Sequence, residues 1–463
     1  MSYTEQLLTE RWAARDLNAL VSRRVRKLNA GSVTDWGLSS RQPDPEVPPI
    51  SLAGGIPDDA TLPRRGLLAA TARALGLAPE DAVTAAADGN RASVSGTDPS
   101  ECCDANGASA LDSAARHGAQ RGAAALSYGG PLGHEPLREQ VARFFARDQE
   151  PAIGADHFVL ANGAAGAIDL ACSALLDPDD VVVTEVPAFS GSLRTIRGHG
   201  ARLVGVPMDT QGMCVDRLDA TLHRLAAAGT PAKLVYVSPT FHNPTGITMP
   251  IARRRDLLEV AARHGVLLLE DTAYNELYFG GELIPTLGAL AQGHFVITAG
   301  TFSKVIAPGL RVGWLQARPE LLEMLMPARF DMGNSPLQHR MLHEFMVSGE
   351  LEAHVARMRA LYRTKMRTLA AALRETCGSA FQFTEPDGGF FLWLRLAEPL
   401  QAQRVQEQAL ERGVVFPVGR GFYPVEGPRP DGEYLRLAYS RVGVDELRTG
   451  AERIAACLRK AGR

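Results

Sequence analysis

Residues 298–314 read TAGTFSKVIAPGLRVGW and form the most informative stretch of this 463-residue chain. An apolar, strand-like run leads to Lys304, which is flanked by small hydroxyl residues and followed by Pro-Gly-x-Arg. A lysine close to a second cation and to desolvating walls has a lowered pKa and becomes nucleophilic at neutral pH. The pattern therefore predicts a reactive lysine, and the alternative is a structural lysine on a solvated face.

Short apolar runs alternate with helical stretches on both sides of this segment, from about Phe158 to Gln316. They include HFVLANG, DVVVTEVP, KLVYVSPT, VLLLEDTAY and RVGWLQA. This alternation indicates βαβ units, which build a mostly parallel sheet with helices on both faces. Functional side chains in such folds cluster where strands end and loops begin. The sequence therefore predicts an α/β fold with its site at one edge of the sheet.

The composition narrows the classes of partner. With 45% hydrophobic and 22% charged residues and a formal net charge of −3, the chain can bury a large core and has no basic excess for nucleic acid or an anionic membrane. The opening residues lack the apolar run of a secretory signal or membrane anchor. Six cysteines without a C-x-x-C pair indicate reduced thiols and no zinc site. We expect a cytoplasmic protein that binds small molecules and copies of itself, with no bound metal.

Two motifs upstream place polar residues after predicted strands. LLLEDTAYNEL carries Asp271, with Tyr274 three residues later, and SPTFHNPTG carries Asn243 in a turn. A third motif, VLANGAAGAIDLAC, runs from a strand into a helix. Backbone N–H groups at a helix N-terminus can bind phosphate, and here they belong to Gly163, Ala164 and Ala165.

Four further motifs carry an aromatic residue, an arginine or a glycine. TEVPAFSGS contains Phe189, and ALSYGGPLGHE contains Tyr128. EYLRLAYS places Arg436 on a strand, where a guanidinium fork could bind a carboxylate through two hydrogen bonds. SLAGGIP contains Gly55, which allows the backbone to approach a ligand closely.

Taken in order along the chain, these motifs resemble the class I and II aminotransferases, which are fold-type I enzymes that use pyridoxal 5'-phosphate (PLP). The resemblance covers most of the chain and is nearest to the α-aminoadipate and aromatic aminotransferases and to the effector domains of MocR-type regulators. It implies PLP as the cofactor, held by Lys304 as a Schiff base.

The resemblance also implies a role for each of the other cofactor-binding positions. Asp271 would pair with the pyridinium nitrogen and keep it protonated. Tyr274 and Asn243 would donate hydrogen bonds to the phenolic oxygen, and Phe189 would stack on the ring. The phosphate would be held by Thr301, Ser303, Arg311 and the backbone at Gly163, Ala164 and Ala165. Relatives more often carry Ser-Gln or Ser-Thr where this chain has Ala164 and Ala165, so backbone donors would carry more of the phosphate binding.

Substrate binding and assembly complete the resemblance. Arg436 would clamp the substrate α-carboxylate, with Asn243 and Gly55 beside it. Tyr128 would reach the phosphate of a neighbouring subunit, which implies a homodimer with a shared active site.

The domain organisation follows from composition and pattern. We predict an N-terminal segment (1–50) that packs on the small domain, a large PLP-binding domain (51–330) with a mostly parallel seven-stranded sheet, and a C-terminal small α+β domain (331–463). Residues 82–121 are almost free of large apolar side chains and read as a flexible insertion, either a disordered linker or an active-site lid. The adjacent Cys102 and Cys103 lie within it.

Three functions remain open from the sequence. The first is transamination of an L-amino acid with a keto-acid acceptor. The second is elimination or cyclisation of a modified amino acid such as a hydroxylated arginine, which the insertion, His242 and the loop VGRGFYP favour. The third is a MocR-like module that binds PLP as a ligand, but only about fifty residues precede SLAGGIP, too few for a DNA-binding domain and linker.

Overall fold

The computed structural model describes residues 47–78, 120, 122–281, 283–423 and 427–461. Cys102, Cys103, the 82–121 insertion apart from residue 120, and residues 1–46 of the predicted N-terminal segment lie outside the described residues.

The strands and α-helices of the described residues follow in chain order. The strands are β1 (Ile50–Ser51), β2 (Phe158–Ala161), β3 (Val181–Val186), β4 (Arg202–Asp209), β5 (Gly212–Met213), β6 (Ala232–Val237), β7 (Leu267–Asp271), β8 (Val296–Thr301), β9 (Gly313–Gln316), β10 (Phe381–Gln382), β11 (Phe391–Leu396), β12 (Val414–Val415) and β13 (Tyr434–Ala438). The helices are α1 (Arg64–Ala74), α2 (Glu135–Phe145), α3 (Gly163–Leu175), α4 (Ser190–Gly198), α5 (Val215–Ala227), α6 (Ile251–His264), α7 (Leu287–Leu290), α8 (Pro319–Leu325), α9 (Pro336–Val347), α10 (Glu350–Cys377), α11 (Ala402–Glu411) and α12 (Val444–Ala461).

The large sheet has the order β2-β9-β8-β7-β6-β3-β4-β5. Pairings among β4, β3, β6, β7 and β8 are parallel, while β9 runs antiparallel to both β8 and β2. The predicted α/β class with a mostly parallel sheet is confirmed. The predicted number of seven strands is wrong by one, because the two-residue β5 turns back against β4 to add an eighth.

Apolar residues bury both faces of this sheet. In the run Val181–Val183, the middle valine packs in one core cluster and its two neighbours pack in another. Successive side chains on a strand point to opposite faces, so a continuous apolar run is what a strand covered by helices on both sides requires.

The remaining strands form a three-stranded antiparallel sheet, β10-β11-β13, and a parallel pair, β1-β12. Helix α10 packs its apolar side chains at spacings of three and four residues, the period of one helix face. Its buried face includes Leu351, Val355, Met358, Tyr362, Met366, Leu369 and Leu373.

The same helix holds the segment that contains Gly55. The Tyr362 hydroxyl accepts a hydrogen bond from the backbone N–H of Asp58 at 3.1 Å, and Lys365 Nζ donates to the Asp58 carboxylate at 2.5 Å. Lys365 is almost fully buried, so its contacts fix the segment against α10. Among the described residues, no helix is both long and apolar enough to cross a membrane.

Candidate active site

Lys304 lies in a turn directly after β8, at the carboxyl edge of the large sheet. Its Nζ donates a hydrogen bond to the Gly55 carbonyl oxygen at 2.7 Å and lies 5.6 Å from the centre of the Tyr274 ring. The adjacent parallel strand β7 ends at Asp271, which pairs in register with Ala299 of β8. The sheet therefore brings Asp271 and Tyr274 to the same edge as Lys304.

Asp271 is a buried carboxylate with both oxygens hydrogen-bonded. Oδ2 accepts from the Tyr236 hydroxyl at 2.9 Å, and Oδ1 accepts from the backbone N–H of Ala273 at 3.1 Å. Burial raises the pKa of Asp271; the hydrogen bond from Tyr236 and the charge of Lys304 oppose this, and the pKa stays above its usual value. A positive charge placed against this carboxylate would favour its ionised form.

Arg436 and Asn243 lie in direct contact, although 193 residues separate them in the chain. Arg436 Nη1 donates to Asn243 Oδ1 at 2.7 Å, and Nη2 donates to the Ala53 carbonyl oxygen at 2.5 Å. The rings of Phe391 and Phe422 lie 4.5 and 4.8 Å from the guanidinium carbon. Arg436 is 1% exposed. Its guanidinium is therefore held in place by these polar contacts and by the faces of the two aromatic rings.

Position 55 has room only for a glycine. A Cβ atom built there would come within 2.2 Å of the Phe391 ring, so any side chain would displace either the ring or the backbone that holds Lys304 Nζ. The glycine in SLAGGIP therefore permits the close packing of this segment on β11.

Arg311, one of the predicted phosphate-binding residues, lies at the N-terminus of α3 beside Gly163. Gly163 has a φ of 72°, and a Cβ there would lie 3.0 Å from Arg311 Nη2, which itself donates to the Asn162 carbonyl oxygen at 3.2 Å. Thr301 Oγ1 donates to Ser303 Oγ at 2.9 Å. Ala164 and Ala165 form the first turn of α3, and the preceding Asn162 makes no side-chain cap with it.

Phe189 and Tyr128 have different surroundings. Phe189 follows β3 at the same edge of the sheet, directly before α4, and its ring covers Gly191. Tyr128 is 91% exposed. Within one chain Tyr128 therefore lies on the surface, and a role at an active site requires a second subunit.

The sequence did not reveal several residues of this site. The sequence pattern marks Tyr236 only as part of a strand, yet its hydroxyl donates to Asp271 Oδ2. The carbonyl oxygens of Ala53 and Gly55 are the hydrogen-bond acceptors of Arg436 and Lys304. Tyr236 carries a hydroxyl group on the strand next to the one that ends at Asp271. This position could point to Tyr236 only if the strand order were already known.

Comparison with known proteins identifies the family. The family model for aminotransferase class I and II matches residues 99–454. The chain belongs to this family. The aminotransferase is 30% identical over 347 residues to the aromatic-amino-acid aminotransferase 1 of Thermococcus litoralis, covering 74% of this chain and 82% of that one. It is 33% identical over 355 residues to the 2-aminoadipate transaminase of Thermus thermophilus, covering 76% and 86%.

A solved structure shows the same fold along nearly the whole chain. The aminotransferase is similar to LysN, an α-aminoadipate aminotransferase from Thermus thermophilus complexed with N-(5'-phosphopyridoxyl)-L-leucine, with a TM-score of 0.75 and 26% identity over 96% of this chain and 99% of that one. Two HTH-type transcriptional regulators of Bacillus subtilis and the probable rhizopine catabolism regulatory protein MocR of Rhizobium meliloti are also among its relatives. The predicted resemblance is confirmed.

The aminotransferase is PLP-dependent, and its own residues fit that cofactor. The first turn of α3 lacks a side-chain cap from Asn162 and lies beside the Arg311 guanidinium, which suits a phosphate dianion. The buried Asp271 carboxylate, whose pKa is raised, suits a cationic ring nitrogen. Lys304 lies at the same edge of the sheet as Asp271. A single cofactor that contacts the lysine, the carboxylate and the first turn of α3 would need this arrangement.

Proposed function

We propose that the aminotransferase transfers the amino group of an L-α-amino acid to a 2-oxo acid, with Arg436 binding the α-carboxylate and Lys304 acting at Cα. The spacing of these two cations supports the proposal. Arg436 donates to the carbonyl of Ala53 and Lys304 donates to that of Gly55. Two residues of extended chain span at most about 7 Å. With hydrogen bonds of 2.5 and 2.7 Å at the two ends, Arg436 Nη2 and Lys304 Nζ lie at most about 12 Å apart, a distance that one bound α-amino acid can bridge.

The chain's own groups divide the work of this reaction. The Arg436 guanidinium, flanked by aromatic rings, would bind and orient the α-carboxylate, while Asn243 holds the guanidinium in place. Lys304 Nζ would remove the proton from Cα and return it to the carbon on the other side of the amino nitrogen. PLP, when bound, stabilises the negative charge that is left on Cα. Asp271 would hold the ring nitrogen in its protonated form, and the Tyr236 hydroxyl would keep that carboxylate oriented.

For the substrate, we propose L-amino acids with large side chains as the first donors to test, with aromatic amino acids and 2-aminoadipate among them. The names of two relatives, an aromatic-amino-acid aminotransferase and a 2-aminoadipate transaminase, support this choice.

We also propose a homodimer in which Tyr128 completes the partner's site. Leu126, Tyr128, Phe330 and Met332 are 72–91% exposed. Their segments are adjacent, since Arg329 Nη1 donates to the Pro131 carbonyl oxygen. An exposed apolar patch of this kind marks an interaction surface. Light scattering should report a dimer. Tyr128→Phe should weaken PLP binding and leave the dimer intact.

The elimination or cyclisation alternative loses one of its supports. His242 is only 1% exposed and its Nε2 faces Glu185 at 3.3 Å, so it is not available to a substrate. In the loop VGRGFYP, Phe422 packs against Arg436, a position compatible with any α-amino acid.

A single-turnover reaction separates the two functions. Holoenzyme mixed with excess L-phenylalanine and no 2-oxo acid should release one equivalent of keto acid per subunit and then stop, leaving the cofactor in its amine form. Addition of 2-oxoglutarate should restart it. Continued turnover without an acceptor, with a dehydrated or cyclised product, would contradict transamination.

A further inference from the structure

A second buried carboxylate lies behind Asp271. Glu185 of β3 is 1% exposed, and its Oε1 accepts a hydrogen bond from the backbone N–H of Ser238 at 2.6 Å. Its Oε2 has no hydrogen-bond partner among the described residues. Ser238 Oγ in turn donates to the Asp271 carbonyl oxygen at 3.3 Å, so one residue links the two acidic positions. A buried carboxylate needs a compensating partner, because burial strongly disfavours its charge.

His242 is placed to be that partner. It is also 1% exposed, and its Nε2 lies 3.3 Å from Glu185 Oε1 as a close electrostatic contact, with no hydrogen bond to any described residue. The opposite ring nitrogen, Nδ1, accepts from the backbone N–H of Thr245 at 3.4 Å and lies 2.8 Å from Thr245 Oγ1. Because Nδ1 is an acceptor, the ring proton is on Nε2, on the side of the ring that faces Glu185.

Among the described residues, the titratable groups that interact with Glu185 include Tyr236 of β6 and Asp271 of β7, both on strands of the active-site sheet. Arg254 binds the same loop through Thr240 Oγ1, and Arg436 binds it through Asn243. Burial raises the pKa of Asp271, the Tyr236 hydrogen bond lowers it, and negative charge on Glu185 raises it further. Charge on Glu185 therefore opposes charge on Asp271.

We propose that His242 is a positioning residue that acts through Glu185: by holding the Nε2 side of its ring against Glu185 and partly offsetting that charge, His242 keeps the Asp271 carboxylate ionised against the ring nitrogen of PLP. This inference rests on the proposed role of Asp271. His242 and Glu185 would together set the charge that acts on Asp271, and neither would do so alone. His242 lies 29 residues from Asp271 in the chain, in the loop that also carries Asn243.

Three variants test the proposal: His242→Gln, Glu185→Gln and the double variant. His242→Gln leaves Glu185 without an imidazole, so PLP affinity and kcat should each fall roughly ten-fold, within the range of coupling that double-mutant cycles measure for contacting residues. Glu185→Gln removes the opposing charge and should stay near wild type. The double variant should recover most of what His242→Gln lost.

The readouts keep a charge effect distinct from a loss of packing. PLP affinity is measured by titrating apoenzyme, the visible absorbance of bound cofactor is followed against pH, and the apoenzyme Tm reports the fold. His339→Gln serves as the matched control, since His339 is 2% exposed and lies on α9. It should lower Tm at most, with the absorbance titration unchanged.

Two results would overturn the proposal: a double variant no better than His242→Gln, or a Glu185→Gln variant that loses as much PLP affinity as His242→Gln. Failure of the proposed function would look different. Wild-type holoenzyme would then not transaminate any amino acid, while the rescue of PLP affinity by the second substitution could still be measured.

Discussion

The substitution Arg436→Lys tests the proposed carboxylate site. The guanidinium is 1% exposed and uses its two terminal nitrogens on Asn243 and Ala53, with aromatic rings on its faces. A lysine keeps the charge but presents one ammonium in place of a planar fork, so it can make one of the two parallel bonds to a carboxylate. A hydrogen bond to a charged group contributes about 1.5–3 kcal/mol. The loss corresponds to a roughly ten- to 150-fold fall in kcat/KM, at about 1.4 kcal/mol per factor of ten.

The assay is steady-state transamination with several donors and 2-oxoglutarate, together with PLP titration of the apoenzyme. The fall should be similar for every donor, because the lost contact is to the common α-carboxylate, and PLP affinity should stay unchanged. Arg395→Lys is the control, since Arg395 is an exposed arginine on the neighbouring strand β11. Wild-type kcat/KM in Arg436→Lys would refute the carboxylate role.

Three other predictions follow from buried groups. Tyr236→Phe removes the donor to Asp271 Oδ2, so the pKa of Asp271 should rise and the acidic limb of the kcat/KM–pH profile should move to higher pH; an unmoved limb would exclude Tyr236 from orienting Asp271. Burial raises the folded-state pKa of Asp271. The contribution of Asp271 to the stability of the folded apoenzyme is therefore present below its unfolded-state pKa and is lost as pH rises. Asp271→Asn should therefore raise the apoenzyme Tm at pH 8 more than at pH 4 while weakening PLP binding, as scanning calorimetry and titration would report. Burial lowers the pKa of His339 to about 3, so its contribution is present above the usual value of 6.5 and lost as pH falls towards 3. In His339→Leu, the free energy of unfolding should depend less steeply on pH over that window than in wild type. The same slope in both proteins would contradict this linkage.

The fold could be predicted to a useful depth because βαβ alternation and buried valine runs are local signals. Strand ends also determined which residues meet, since the carboxyl ends of parallel strands share one edge. That edge predicts where functional side chains cluster, while the pairing of Lys304 and Asp271 on one cofactor is implied by the family resemblance. The two-residue β5 carries too few residues for a periodicity to be read, and so the eighth strand was missed.

The supporting contacts could not be predicted for a different reason. Tyr236 and Asp271 meet because β6 and β7 are neighbours, and Glu185 and His242 meet across 57 residues of chain. No spacing in the sequence encodes these pairs. His242 illustrates the consequence: the sequence suggested a residue near the substrate, whereas the imidazole is buried and turned towards Glu185.

The central claim is that Lys304 is the residue that binds PLP covalently. Holoenzyme is treated with sodium borohydride, digested and analysed by peptide mass spectrometry. We expect one reduced cofactor per chain on the peptide that contains Lys304. Lys304→Ala should bind PLP without a covalent link and lose turnover by orders of magnitude. Reduced cofactor on any other lysine, or no covalent cofactor at all, would contradict it.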